Sequence, residues 1–165
     1  MSIIIRKVSA PDLEAVHSLN QSEVPHVGSV DLEKMRWYAS HADYFRVVLL
    51  DERLAAFLVG FRPGSSYASP NYRWFFERYD DFAYVDRVAV ADFARRSGLA
   101  STLYDDFAAS LPGPVPIMAC EVNIKPPNES SMTYHRRLGF AQVGSLINAD
   151  GDKEVAMLVK QLQSG

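Results

Sequence analysis

Six consecutive residues, Arg95-Arg96-Ser97-Gly98-Leu99-Ala100, carry the most legible chemistry in this chain. They follow an alternating apolar run that ends at Val90, and they open a stretch of helical spacing that reaches Leu111. A strand that feeds a small-residue loop and then a helix start turns several backbone N–H groups toward one point, with the positive end of the helix dipole behind them. Gly98 and Ala100 allow close backbone approach to a pyrophosphate, and Arg95 and Arg96 add charge. The pattern predicts a phosphate-bearing ligand; a solvated arginine pair at a helix start is the plainer alternative. The loop lacks the Gly-Lys-Ser/Thr ending that holds a nucleotide's phosphates and magnesium, which argues against a nucleotide enzyme of that kind.

On the preceding strand, side-chain alternation puts Tyr84, Asp86, Val88 and Val90 on one face and Val85, Arg87 and Ala89 on the other. Asp86 lies with an apolar set. There it either makes a structural salt bridge or hydrogen bond, or acts as a general base, directly or by ordering a water. Cys120 falls inside a later strand and reads as buried filler rather than as a nucleophile. The four histidines, His17, His26, His41 and His135, show no metal-ligand spacing, so no metal is expected.

The elements that must position these residues fit a single domain over 1–165, since 165 residues at 48% hydrophobic content can build a core. With 17 basic against 20 acidic side chains, the net charge of −3 argues against nucleic acid as the main partner. One cysteine allows no intramolecular disulfide, which fits a reducing compartment. No apolar leader with a cleavage site opens the chain, and no run approaches the roughly 20 apolar residues a membrane helix needs. A soluble, cytoplasmic protein without a membrane partner is expected.

Residues 3–8 form a β-branched run that predicts a strand. Ser9-Ala10-Pro11-Asp12 then starts a helix whose buried face is Leu13, Val16 and Leu19. A loop is expected over 20–29, a second short helix over 31–40, and a hairpin of strands 44–50 and 54–61 about Asp51-Glu52-Arg53. Residues 62–81 read as a loop broken by Pro63-Gly64 and Pro70-Asn71. Its dense aromatics, Tyr67, Tyr72, Trp74, Phe75, Phe76 and Tyr79, need cover from the core or from a second copy in a homodimer, with ligand contact as the alternative. There follow a strand over 82–90, a helix over 97–111 stopped by Pro112-Gly113-Pro114, a strand from 115 to 121 or 123, and a helix capped by Asn128 that ends at Gly139. Strands 140–146 and 154–162 meet around Asp150-Gly151, a tight-turn dipeptide. Hairpins mixed with βα units predict an α+β, or mixed α/β, fold with a mixed, largely antiparallel sheet.

Taken with the second half, the loop resembles a known family. Arg95, Gly98 and Ala100 match the pyrophosphate loop of the GCN5-related N-acetyltransferase (GNAT) superfamily, with the strand valine Val90 at the usual interval before it. Asn128 through Leu138-Gly139-Phe140 matches the second signature, an asparagine, a short helix and then Gly-Phe. The resemblance implies a sheet of about seven strands flanked by about four helices, and acetyl-CoA as co-substrate with no metal. It also implies direct transfer of the acetyl group to an amine of a small-molecule or peptide acceptor. It implies that the backbone of Val88, Ala89 and Val90 pairs with the pantetheine and polarises the thioester, and that Arg95, Arg96, Ser97, Gly98, Leu99, Ala100 and Ser101 hold the pyrophosphate. Asn128 and Ser131 would contact the cofactor, Asn128 also serving as a helix cap. Glu121 and Asn123 would point to the V-shaped gap that receives the thioester, with Asp86, Glu121 or an ordered water deprotonating the amine.

Two departures stand out. Arg96 occupies a place where glycine is usual. Where many members carry a tyrosine proposed to protonate the leaving thiolate, this chain has His135, with Tyr134 one residue earlier; register favours His135, and adjacent helix residues point about 100° apart, so only one of them can face the sulfur. Two alternatives stay open: another acyl-CoA or a non-amine acceptor, and a non-catalytic acyl-CoA-binding module.

Overall fold

A computed structural model describes residues 2–162. The described residues form seven strands and five α-helices: β1 (Ile3–Lys7), α1 (Leu13–Ser22), α2 (Leu32–His41), β2 (Tyr44–Leu50), β3 (Arg53–Phe61), α3 (Pro70–Phe76), β4 (Ala83–Val90), α4 (Leu99–Ala109), β5 (Ile117–Lys125), α5 (Glu129–Arg137), β6 (Ala141–Ile147) and β7 (Glu154–Gln161). The strands make one sheet in the order β1-β2-β3-β4-β5-β7-β6. Its described ladders are antiparallel except for β4 and β5, which run parallel with Ala83 opposite Met118 and Tyr84 opposite Ala119. The mixed, largely antiparallel architecture is the expected one, with one helix more than expected. Contacts divide the chain into two compact units. The first takes the chain through Phe61 and again Val85–Ser110; the second takes Arg62–Tyr84 and the chain from Leu111 onward.

In the first unit, β2 and β3 bury Val47, Val48 and the run from Ala55 to Val59 completely. Their turn places Asp51 at φ 48 and Glu52 at φ 68, two left-handed residues of the kind that match the twist of a hairpin. A short 3₁₀ turn, Ala10–Asp12, precedes α1. Asp12 accepts from the Ser9 N–H at 2.7 Å and from both terminal nitrogens of Arg6 at 2.7 and 2.9 Å. The spacing Leu13, Val16, Asn20 is the buried stripe of α1, so the helix runs on past the expected start of the loop at Asn20 and ends at Ser22. Leu19, expected on that stripe, is half-buried. Asp31 caps α2 by accepting from the Lys34 N–H at 2.8 Å, and Met35 and Tyr38 are the buried residues of that helix. Helix α4 starts at Leu99, two residues later than expected, because Gly98 occupies the cap. It buries Leu99, Leu103, Tyr104 and Phe107, and Asp106 accepts from Tyr44 Oη at 2.8 Å and Arg46 Nη1 at 2.9 Å.

The second unit corrects the reading of 62–81 as a loop throughout. Residues Pro70–Phe76 are helix α3, capped by Ser69, whose Oγ accepts from the Tyr72 N–H at 3.4 Å, with Pro70 in the first turn. Most of the aromatic cluster finds cover within this unit, with Tyr67, Tyr72 and Phe75 buried and Trp74 and Tyr79 half-buried, while Phe76 stays 48% exposed. Tyr72 and Phe75 are 1% and 0% exposed, and their rings lie 5.6 and 5.7 Å from that of Tyr84. The Trp74 indole lies against Gly144 of β6, where an added Cβ would stand 2.5 Å from it. Arg78 covers the indole, with its guanidinium carbon 4.0 Å from the ring centroid. Strands β5 and β6 both pair with β7. The connection between β6 and β7 is wider than a two-residue turn: Asn148 N–H donates to the Lys153 carbonyl at 3.0 Å, with Asp150 and Gly151 inside that closure.

Candidate active site

In the first unit the expected site residues lie along β4 and the loop after it. Asp86 accepts from Arg87 Nε at 2.8 Å, and the two side chains are only 4% and 8% exposed. Arg87 Nη1 also donates to Asn20 Oδ1 at 2.9 Å and to the Gly28 carbonyl at 3.0 Å, and the guanidinium stands 5.1 Å from the Tyr38 ring centroid. Asp86 is thus half of a buried ion pair that anchors the connection between α1 and α2. Removing one partner of such a pair strands the other charge, which is why it acts as a fixed post. Asp86 is nevertheless half-buried rather than buried as a whole, so part of its accessible surface lies on the main chain. Ala89 is buried, and Val88 and Val90 are half-buried. The first N–H after β4, that of Ala91, donates to the Ala55 carbonyl of β3 at 2.7 Å.

A 3₁₀ turn, Asp92–Ala94, then leads to the arginine pair. Arg95 is engaged: its Nη2 lies 2.8 Å from both oxygens of Glu23, the residue just after α1, and 2.9 Å from Asp92 Oδ1. The Glu23 carboxylate, ahead of Asp92, raises the Arg95 pKa. Arg96 makes no ion pair among the described residues. It sits at φ 66, a left-handed backbone that costs a non-glycine residue about 1–2 kcal/mol. This explains why glycine suits that position. Ser97 Oγ donates to the Ala94 carbonyl. Gly98 has φ 77 and ψ 17, and a Cβ placed there would meet open space. Leu99 is buried under the first turn of α4, Ala100 and Ser101 are half-buried, and the Gly98 carbonyl accepts from both the N–H and the hydroxyl of Thr102 at 3.0 Å. The loop therefore offers backbone N–H groups, one unpaired guanidinium and a glycine over which a ligand can come close to the main chain. These features fit a pyrophosphate.

The second unit holds the remaining candidates. Glu121, half-buried on β5, accepts from Tyr84 Oη at 2.8 and 3.0 Å and from Asn71 Nδ2 at 3.1 Å. Asn123 is 8% exposed, and its carbonyl accepts from the Asn128 N–H at 3.2 Å. Asn128 caps α5, its Oδ1 accepting from the Ser131 N–H at 3.4 Å. His135 is 6% exposed; its Nδ1 faces the Ser131 carbonyl at 2.7 Å and Ser131 Oγ at 3.3 Å, and its ring meets Phe140 edge-on at 5.3 Å. Burial lowers the His135 pKa below 6.5, against an opposing pull from the Ser131 carbonyl. The imidazole is therefore neutral at pH 7, with Nδ1–H donated to the backbone. Tyr134, next to it, is half-buried and stands edge-on to His135 at 5.9 Å. Cys120 is 3% exposed, and burial pushes its thiol well above the ordinary range, which leaves it inert as a nucleophile. Among the described residues, no group of three or more His, Cys, Asp or Glu side chains could hold a metal ion. No described helix is long and apolar enough to cross a membrane. Sequence alternation does place Tyr84 on one face of β4, but Asn71 lay inside what read as loop, so its link to Glu121 had no sequence signal.

The family model described as the Acetyltransferase (GNAT) family matches residues 13–140. The chain belongs to the GNAT family. Solved structures with this fold include the ribosomal-protein-S18-alanine N-acetyltransferase from Escherichia coli, 14% identical with a TM-score of 0.70 over 99% of this chain and 96% of that one. Arabidopsis thaliana NAA60, in complex with a bisubstrate analogue, is 18% identical with a TM-score of 0.76 over 97% and 98% of the two chains. The NatC complex bound to Gag peptide and CoA has a chain 10% identical with a TM-score of 0.74 over 99% and 100%. At these identities the likeness is one of fold. No curated protein matches the chain in sequence.

Proposed function

We propose that this GNAT protein is an acetyl-CoA-dependent N-acetyltransferase that passes the acetyl group directly to an amine. The observation that carries the proposal is the loop after β4, where Arg96 makes no ion pair among the described residues, Gly98 is left-handed and α4 begins, with main-chain surface at Asp86 on the strand before it. Main-chain pairing along β4 suits the amides of a pantetheine arm, and the N–H groups around Gly98 with the Arg96 guanidinium suit a pyrophosphate. Acetyl-CoA supplies the activated acyl group, a thioester. The residues of the chain hold it, polarise its carbonyl through a β4 N–H near Val88 to Val90, and move two protons.

The proposed step balances. Glu121 accepts the proton that the attacking amine loses, the new C–N bond forms as the C–S bond breaks, and the leaving sulfur takes a proton from Tyr134. His135, neutral and bonded through Nδ1 to the backbone, holds α5 in place beside Tyr134 rather than serving as the acid. Asp86, paired to Arg87, anchors rather than transfers a proton. Asn128 and Ser131 set the first turn of α5, with Asn123 closing the strand before it. The acceptor is an amine of a small molecule or a peptide; two structures of the same fold are described as an alanine N-acetyltransferase and as bound to a peptide. The proposed setting is the cytoplasm.

The test is a library of amines and short peptides with varied N-termini, assayed for release of the CoA thiol. Turnover with at least one member is expected. Acetyl-CoA binding with no thiol release from any amine would replace the enzyme by a binding module.

A further inference from the structure

We infer that Tyr84 and Asn71 are positioning residues that hold the Glu121 carboxylate for proton transfer, and that helix α3 exists in part to present Asn71. The inference rests on the role assigned to Glu121 above. Two elements converge on this one side chain of β5. Tyr84 of β4 reaches both carboxylate oxygens, at 2.8 and 3.0 Å, and Asn71 of α3 reaches Oε1 at 3.1 Å. The parallel ladder sets Tyr84 opposite Ala119, so Glu121, two residues on, projects from the same face and meets it diagonally.

Both donors are themselves fixed. Tyr84 is 0% exposed and held between the rings of Tyr72 and Phe75. Asn71 lies in the first turn of α3, next to Tyr72, whose hydroxyl donates to the Arg62 carbonyl at 2.8 Å and accepts from the Ser65 N–H at 3.2 Å. A buried tyrosine needs one acceptor for its hydroxyl, and a backbone carbonyl would serve. Here the acceptor is instead a half-buried carboxylate with surface still open, gripped by a second donor from another element. Two rigid donors on one carboxylate limit its rotation, and catalytic groups held by such a shell keep the geometry that proton transfer requires.

The experiment is a set of double-mutant cycles, run with the best amine from the library and with melting temperatures measured alongside. Glu121→Gln should lower kcat about 100-fold, in the range for loss of a general base. Tyr84→Phe and Asn71→Ala should each lower kcat several-fold, leave the KM for acetyl-CoA unchanged, and shift the melting temperature little. Asn71→Asp should be worse than Asn71→Ala, because it sets a carboxylate beside a carboxylate. In the Glu121→Gln background, Tyr84→Phe and Asn71→Ala should have no further effect, as expected of residues that act through Glu121. Wild-type kcat in both single variants, or the same fold-loss in both backgrounds, overturns the inference while leaving the role of Glu121 standing. Wild-type kcat in Glu121→Gln, by contrast, removes Glu121 from the mechanism and the inference with it.

Discussion

Tyr134 and His135 are adjacent on α5 yet present opposite chemistry. The histidine is buried, neutral at pH 7 and bonded through Nδ1 to the carbonyl one turn back; the tyrosine is half-buried and carries a phenolic O–H. Tyr134→Phe is therefore expected to reduce kcat by about 100–10,000-fold, the span covered by loss of a general acid, with acetyl-CoA binding retained by calorimetry. An unchanged kcat would remove Tyr134 from the acid role. His135 also makes stability depend on pH. Its folded pKa lies below the unfolded value of about 6.5, so the stability held by the neutral ring is present above that value and is lost as the pH falls through the lowered folded pKa. Urea unfolding at pH 7.5 and pH 5 should show that loss, and His135→Asn should lessen it. Register alone pointed to position 135 as the acid. It carried no information on Nδ1, because a bond to the carbonyl four residues back is a matter of rotamer and burial. The same holds for Asp86: alternation put it among apolar residues, but its partner is Arg87, which is tied in turn to Asn20 and Gly28 from far along the chain.

The segment from Ala91 to Leu99 shows how elements earn their positions. Arg96 and Gly98 both adopt left-handed backbones, at φ 66 and φ 77, and only the glycine does so without strain. Gly98→Val should cost about 1–2 kcal/mol of stability from backbone strain and, more decisively, abolish binding of acetyl-CoA by filling the space over the loop. Binding that survives in a folded variant would put the pyrophosphate elsewhere. At the other end of the first unit, the Arg6 hydrogen bonds, ahead of the Ser9 contacts, lower the Asp12 pKa to about 2. The unfolded value is about 3.9, so this contribution is complete above that pH and is lost as pH falls toward 2. Asp12→Asn should thus be less stable at pH 7 and show a shallower loss between pH 4 and pH 2 in denaturant titrations. Caps and turns made several elements legible: Ser9 and Asn128 cap where their residue types predict, whereas Gly98, expected inside its helix, is the cap itself. Helix α3 escaped because it is a single short helix that follows the breakers Pro63-Gly64 and opens on Pro70, and its aromatics at 72 and 75 read as a cluster before they read as a helical period. Packing supplied the rest, as the Trp74 indole over Gly144 shows. Gly144→Val must displace that ring and should destabilise the protein by about 1–3 kcal/mol in thermal or urea unfolding.

At the scale of the molecule, the order of strands and helices was legible because each hairpin and each helix-linked crossover allows few topologies. The two signatures, around Arg95 to Ala100 and Asn128 to Phe140, carried the family because a left-handed glycine at a helix start and a cap on α5 both restrict residue type at fixed spacing. The acceptor was not legible. Nothing in residue type alone prescribes an acceptor. The central claim concerns the cofactor, and it is tested most directly by thermal unfolding of the wild-type protein with and without acetyl-CoA. A ligand at 100 times its dissociation constant stabilises by about 2.7 kcal/mol, which for a protein of this size raises the melting temperature by roughly 5–10 °C. A saturable rise of that size with acetyl-CoA, and none with ATP or NAD, is the predicted result; no shift at saturating acetyl-CoA would contradict the account.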